Sequence, residues 1–503
     1  MEPLSNPQEQ WMQYIHRSVW LPVCLALVTS LLYCSELAAG QKKDILKFNK
    51  MYERGEYAEA ADFELDRIGN DRSDKAKLLQ SLQAAAALRY DSRPELSSQL
   101  FDESDAILRE HEEKLLASTA SSSAGAVLLN DSSLDYKGTV YDGVMLNTYN
   151  ALNFWEAGKT DLARIEFNRA LERQRRAVER FASEIEKTRR ALAEKQASGS
   201  VPLDVERRAD SPEVDALIQQ NYSNIFAFEA YPDFANPFAN YAAGLFFLSQ
   251  KDYPRAEEQL KRVVGMSGMD SPAKGDLALV VEALGGKEDV GAYTWVIFEN
   301  GSGPVREEIR LDLPLFIVSR TVKYTGIALP TLAFREKGCE YLNLKTGDET
   351  VGRTAVLSSM DRVVQAEFKK RYPAVLRRAI ASAAVKTVAQ AQVQKQLGDI
   401  GGLLGGLVQR ATTIADTRMW TALPKEFQVA RIKTPEDGRL EIVSSEGRSF
   451  AVSVRPGARS IVYVKIPSRA ARPYCSVTTM GAAPAGDAAA SVSLGEPLST
   501  TEQ

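Results

Sequence analysis

The stretch Met145–Gln174, "MLNTYNALNFWEAGKTDLARIEFNRALERQ", decides the fold class. Small residues at Ala151, Gly158, Ala163 and Ala170 are interleaved with Phe154 and Phe167, and apolar positions recur at helical spacing on both sides of Gly158. Two helices joined by a short turn are therefore expected to lie side by side, with small side chains where their backbones approach. The pattern returns in Asn236–Val264, "NPFANYAAGLFFLSQKDYPRAEEQLKRVV", through Gly244, Phe247, Tyr253, Ala256 and Leu260. Ala151 to Ala163 and Gly244 to Ala256 are both steps of twelve residues. A third form occupies Phe48–Ile68, "FNKMYERGEYAEAADFELDRI", and breaks at Gly55.

These segments resemble tetratricopeptide (TPR) repeats, in which small residues let paired helices approach and aromatic residues fill the wedge. They are not in tandem, because long insertions separate them. A stack of such hairpins leaves one concave face for a partner, while ordinary helical-bundle packing accounts for the same residues with no ligand. Residues 163–196 continue as a long amphipathic helix whose interspersed Arg and Glu read as a solvated face.

Beyond residue 290 the character changes. "YTWVIF", "REEIRLDLPLFIV" and "GIALPTLAF" have strand-like composition, as do three or four segments between residues 423 and 468 with the turns "EDGR", "SEGR" and "RPGA". The fold class expected is α+β, mainly α. A TPR-like helical region over 40–290 carries a Ser-rich loop near 117–135 and a spacer near 197–215. A small β-sandwich or sheet follows over 291–470, with a helical insertion over 354–415 kinked or split near Pro373, and then a disordered tail over 471–503.

Composition narrows the function. The 503 residues carry 62 Lys+Arg against 66 Asp+Glu, a net charge of -4, so no global field attracts DNA or RNA, and no nucleic-acid partner is expected. Only His16 and His111 occur, with Cys24, Cys34, Cys339 and Cys475, which leaves too few residues for the common histidine-based or zinc-based sites. No cofactor, metal or catalytic residue is assigned. A protein that is not an enzyme is expected, although chemistry using only Asp, Glu, Ser, Lys or Tyr stays possible.

The apolar run Val19–Tyr33 is short for a membrane-spanning helix and fits an export signal within residues 1–39. Two processing readings compete. Cys34 is the lipid-attachment candidate of a lipoprotein signal, although Tyr33 departs from the small residue that position prefers. Ordinary cleavage would instead follow Ala38 or Ala39. Loss of the signal removes Cys24 and leaves Cys339 and Cys475, to pair or to stay thiols.

Four blocks together carry a wider resemblance: Tyr136–Ala170, Asn300–Leu315 ("NGSGPVREEIRLDLPL"), Ala328–Phe334 ("ALPTLAF") and Ala415–Arg431 ("ADTRMWTALPKEFQVAR"). They resemble an uncharacterised bacterial family of TPR-containing predicted lipoproteins of the cell envelope. The resemblance implies a periplasmic, outer-membrane-anchored scaffold or adaptor whose partner is another cell-envelope protein, with membrane attachment through an N-terminal lipid. The matching residues, taken as partner-binding candidates, are Tyr141, Asp142, Asn147, Glu166, Asn168 and Arg169 in the central hairpin. Arg306, Glu307, Asp416, Arg418 and Trp420 match in the second half. Two alternatives stand beside it: an envelope hydrolase or glycan-processing enzyme using carboxylates, and a structural subunit of a secretion or surface assembly.

Overall fold

The computed structural model describes residues 40–117, 135–197, 236–268, 270–287, 290–314, 324–383 and 414–481, with isolated positions 212, 216 and 220. The expected export signal with Cys24 and Cys34 lies outside the described residues. So do most of the Ser-rich loop, most of the spacer, the end of the insertion and residues 482–503.

The first half is a series of helical hairpins: α1 (40–52) with α2 (Tyr57–Ile68), α3 (Leu78–Tyr90) with α4 (Pro94–Ala117), α5 (Val140–Glu156) with α6 (Thr160–Ala197), and α7 (Pro237–Ser249) with α8 (Tyr253–Ser267). Helix α9 (Lys274–Leu284) follows. One turn is used four times. A left-handed residue stands two positions before each second helix: Gly55 (φ 77), Ser92 (φ 57), Gly158 (φ 71) and Lys251 (φ 58). The next amide then donates five residues back, Glu56 to Met51 O at 3.0 Å, Arg93 to Leu88 O at 3.2 Å, Lys159 to Phe154 O at 2.8 Å and Asp252 to Phe247 O at 2.9 Å. This is the Schellman closure, which satisfies a terminal carbonyl and reverses the chain in a few residues. The α3–α4 hairpin escaped the sequence reading because Ser92 occupies the position where glycine would have marked the turn.

The first helices of the last three hairpins are buried all round. Only Gln80 of α3, Glu156 of α5 and Ser249 of α7 are not buried. Their second helices keep solvent-facing sides. What covers the inner helices is the sheet half of the same chain.

That half contains β1 (Tyr293–Asn300), β2 (Val305–Pro314), β3 (Tyr324–Ala333), β4 (Leu342–Thr346), β5 (Glu349–Arg353), β6 (Ala355–Ser359), helix α10 (360–383), β7 (Glu426–Lys433), β8 (Arg439–Ser444), β9 (Ser449–Ser453), β10 (Ser460–Ile466) and β11 (Tyr474–Thr479). A five-stranded sheet runs β11-β10-β1-β7-β6, with β1 parallel to β10 and the other pairs antiparallel. A four-stranded sheet runs β5-β4-β8-β9, and β2 pairs with β3 as a separate ribbon. Strand alternation divides the five-stranded sheet into two faces. Trp295, Ile297, Phe427, Val429, Ile461 and Tyr463 join the helices in one continuous core. Val296, Phe298, Val462, Val464 and Ile466 pack with Leu342, Leu344, Leu440, Ile442, Phe450 and Val452 of the second sheet. The order is helices, sheet, sheet, and β1 is buried on both faces.

Three expectations are corrected. Residues 474–479, placed in a disordered tail by the Gly/Ala-rich composition around them, form edge strand β11 through the β-favouring run "YCSVTT". The insertion does not begin as helix at 354: residues 355–359 are β6, paired with β7, and the helix starts at 360 and runs through Pro373. The concave face expected to receive a partner is filled from within the chain. Cys339 and Cys475 are both free thiols, pushed up to about 12 by burial.

Phe238 of α7 stacks on Phe427 of β7 with ring centroids 3.6 Å apart, clamping the two layers together. Phe427→Ala is expected to cost about 3–5 kcal/mol in urea unfolding, whereas Val356→Ser, at an exposed position, stays within about 0.5 kcal/mol. Glu64, buried on α2, carries a second expectation. Burial raises its carboxyl from 4.5 to about 7 although Arg67 donates to it at 2.6 Å. The folded state therefore holds the proton more tightly than the unfolded chain, and this group's contribution to stability falls as pH rises from about 4.5 to about 7. The difference in unfolding free energy between wild type and Glu64→Gln should change across that window and stay constant above it.

Candidate functional site

Most of the sequence-derived candidates gather into two neighbouring clusters along α5. The first surrounds its N-terminus. Thr139 and Asp142 form a reciprocal capping box: the Asp142 amide donates to Thr139 Oγ1 at 3.1 Å and the Thr139 amide to Asp142 Oδ2 at 2.7 Å. Tyr136 OH donates to the same carboxylate oxygen at 2.6 Å. Glu367, from α10, accepts the Val140 and Tyr141 amides at 3.1 Å each. A helix N-terminus is a ready anion site, and here a carboxylate of the chain's own sheet half occupies it.

Arg306 on β2 lies against this cluster and donates to Arg418 O at 3.1 Å, while Arg418 holds Asp416 through its Nε at 2.8 Å. Burial raises Asp142, against the hydrogen bonds from Tyr136 and Thr139. Burial also opposes ionisation of Asp416, but the Arg418 hydrogen bonds win and hold it below the usual carboxylate range. Tyr141, Asp142, Arg306, Asp416 and Arg418 are thus one neighbourhood, with Tyr136, Glu367 and Arg371 as members that sequence reasoning missed.

The second cluster sits between α4 and α6. Asn147 donates to Asp105 Oδ1 at 3.2 Å and to Glu166 Oε2 at 2.6 Å, bridging two buried carboxylates. Arg169 pairs with Glu166 at 2.5 Å and with Asp105 at 3.6 Å, and Arg109 pairs with Asp105 at 3.0 Å. Arg173 donates to Asp105 at 2.6 Å, to Asn147 Oδ1 and to Glu112 at 3.2 Å. Arg180 shares Glu112 at 2.8 Å. Burial works against Asp105, yet Arg173 lowers it overall. Burial raises Glu166, which Arg169 and Asn147 only partly offset. Above this floor a groove of about 500 Å³ opens, lined by Val140, Ile165, Asn168, Arg169 and Arg176 among others.

The remaining candidates fall elsewhere. Asn168 is exposed and accepts from Arg255 of α8 at 3.4 Å. Glu307 is exposed on the β2–β3 ribbon. Trp420 is core: its ring meets Phe101 and Tyr149 edge-on, with centroids 6.1 and 5.9 Å away. As partner-binding residues, Trp420, Tyr141, Asp142, Asn147 and Glu166 are corrected, since all five are buried and present no surface to another molecule. Their hydrogen-bonding and packing partners are internal.

Sequence reasoning also missed the seam between helices and sheet. Glu299 on β1 and Lys465 on β10 are register neighbours on the face towards the helices, both fully buried, with Nζ 2.6 Å from Oε2. Tyr90 OH lies 2.9 Å from each oxygen of Glu299, and Tyr463 OH donates to it as well. The Lys465 ammonium stands 4.7 Å from the Tyr90 ring and 5.2 Å from that of Tyr52. Burial lowers Lys465 despite the neighbouring carboxylate. Beside it Arg89 pairs with Glu156 at 2.8 Å and lies 5.0 Å from the Tyr463 ring. A second anchor is Asp276, which accepts from Tyr241 at 2.8 Å, Trp295 at 2.9 Å and Arg431 at 3.0 Å. The signal was present as charged residues, Glu299 and Lys465, at the inward positions of otherwise apolar strands.

No family model, curated protein or solved structure matches the chain. Among the described residues, no helix is long and apolar enough to cross a membrane, and no group of three or more His, Cys, Asp or Glu is placed to hold a metal ion.

Removing one member of a buried pair strands the other. Lys465→Met should lose about 3–5 kcal/mol in urea unfolding, and the double variant Glu299→Leu/Lys465→Met should be more stable than the single one. A Lys465→Met protein as stable as wild type would refute the account of the seam.

Proposed function

We propose that this protein is a non-catalytic scaffold or adaptor of the bacterial cell envelope, built on a TPR-like helical array and exported by its N-terminal segment, with Cys34 as the lipid anchor. The repeat reading is supported by the four Schellman-closed hairpins and by the buried small residues Ala151, Ala163, Ala170 and Ala256 in the hairpins. Export and anchoring rest on the sequence alone.

One observation carries the adaptor reading. The inner helices α3, α5 and α7 are buried by the chain's own sheet, and the outer helices α4 and α6 keep a charged, partly open groove between them. A repeat array whose inner face is filled in cis has its outer face left for a second protein. The carboxylate-hydrolase alternative would centre on Asp105 and Glu166, whose acidities are driven apart. All four of their oxygens are already held by Asn147 and by Arg109, Arg169 and Arg173, which favours a brace over an acid–base pair.

Photocrosslinking residues placed in living cells at Leu162 on α6 and Val281 on α9, both exposed, are expected to capture a discrete envelope protein, with Val351 on the far sheet as the position that does not. No adduct at either helical position would remove the adaptor reading. The intact mass of the same material reports the anchor: a chain beginning at diacylated Cys34 supports it, and one beginning near Gly40 rejects it.

A further inference from the structure

A second cavity, of about 300 Å³, opens where the first turns of α4 face the last turn of α5. Glu95, Ser98, Asp102 and Glu103 line it from α4, Phe154 from α5 and Lys159 from the turn that follows. Three carboxylates therefore surround this space against one ammonium group, and none of the three makes an ion pair among the described residues. Glu95 and Asp102 are exposed, so their charges are open to an incoming molecule. Asp102 accepts only Asn150 Nδ2, through Oδ1 at 2.8 Å, and Glu103 accepts Gln99 Nε2 through Oε1 at 3.0 Å. Farther along the same helix Asp105, Glu110 and Glu112 each hold an arginine or a lysine. Around this cavity the matching cations are missing.

A second observation is independent of that charge. Ser98 is 7% exposed and lines the cavity, and its hydroxyl has no hydrogen-bond partner among the described residues. Most buried polar side chains have one. Ser98 and Asp102 stand four residues apart and so share one face of α4, with Glu95 one turn before them on the same face. Phe154 adds an aromatic wall. Burial raises the Asp102 carboxyl, and Asp105 adds to the shift, against the Asn150 hydrogen bond. A cation in the cavity relieves that cost. The carboxylates do not converge as a metal site does. A guanidinium, by contrast, spreads five donors in a planar fork over separate acceptors and lies against an aromatic side chain.

Resting on the adaptor reading, we infer that this cavity docks an arginine side chain of the partner protein, its guanidinium bonded to Asp102 and Ser98, its charge balanced by Glu95 and its plane against Phe154. The volume takes one or two side chains, so recognition is of a short segment and not of a folded domain.

Displayed random peptides selected on the full chain test this. The expected winners share one arginine, and their synthetic forms should weaken about tenfold or more, the loss of one charge-assisted hydrogen bond, when that arginine becomes Ala. The same loss is expected on Asp102→Asn, an exposed change that keeps an acceptor for Asn150, and about threefold on Ser98→Ala. Glu349→Gln, which removes an exposed carboxylate from β5, should leave binding unchanged. Circular dichroism reports the folding of each variant.

Four outcomes overturn the proposal. The selection returns no arginine enrichment, or the peptides bind Asp102→Asn as well as wild type. Lysine replaces the shared arginine without loss. Spermidine or calcium chloride alone competes as strongly as the peptides, making this a small-cation site. Crosslinks at Leu162 or Val281 that persist beside such a failure would leave the adaptor standing and remove only this mode of docking.

Discussion

The pairing of Glu299 with Lys465 is the constraint around which the two halves are organised. Two opposite charges with no exposure to water are tolerated only if each finds its partner and its remaining hydrogen bonds. Here those bonds come from both layers, Tyr463 from the sheet and Tyr90 from α3. The pair itself lies within the sheet, and a sheet shifted along the helices would keep it but lose the Tyr90 hydrogen bond and the Tyr90 and Tyr52 rings beside the ammonium, the contacts through which the pair bears on the helices. Asp276 does the same at the other end, tying α7, α9, β1 and β7 through one carboxylate.

This arrangement changes which side of the helical array stays open to solvent. In an isolated stack of hairpins the inner helices expose the surface that binds. Here α3, α5 and α7 are buried nearly throughout, polar side chains included, and the five-stranded sheet joins them in one continuous core. Even the free amides at the start of α5 are taken, by Glu367 from the inserted helix. The side left open to solvent is the outer, charged one. There the arginines and carboxylates of α4 and α6 lie close enough to neutralise one another without closing the groove between them.

Much of the fold was readable in the residues. The hairpins at Gly55 and Gly158 announce themselves because glycine relieves the left-handed turn. Ser92 and Lys251 adopt the same conformation without that mark. At Lys251 the flanking helical patterns were strong enough to reveal the hairpin, and at Ser92 they were not. The strand β11 was hidden for another reason: six residues with strand propensity sit in a stretch whose average composition is Gly/Ala-rich. Of the candidate residues, Tyr141, Asp142, Arg306, Asp416 and Arg418 do meet in space. Glu367 and Arg371, which complete their cluster, come from a helix more than 200 positions later than Asp142, beyond any local pattern.

By itself the sequence determined the local elements, helices in the first half and strands in the second, and the scarcity of histidine and cysteine that bounds the chemistry. Periodicity and turn residues act over a few positions, so they are written in the chain. Which face of the array is free was decided only by tertiary structure. Burial depends on what the remote sheet covers, and the Glu299–Lys465 register and the cavity between α4 and α5 exist only once distant segments are packed together.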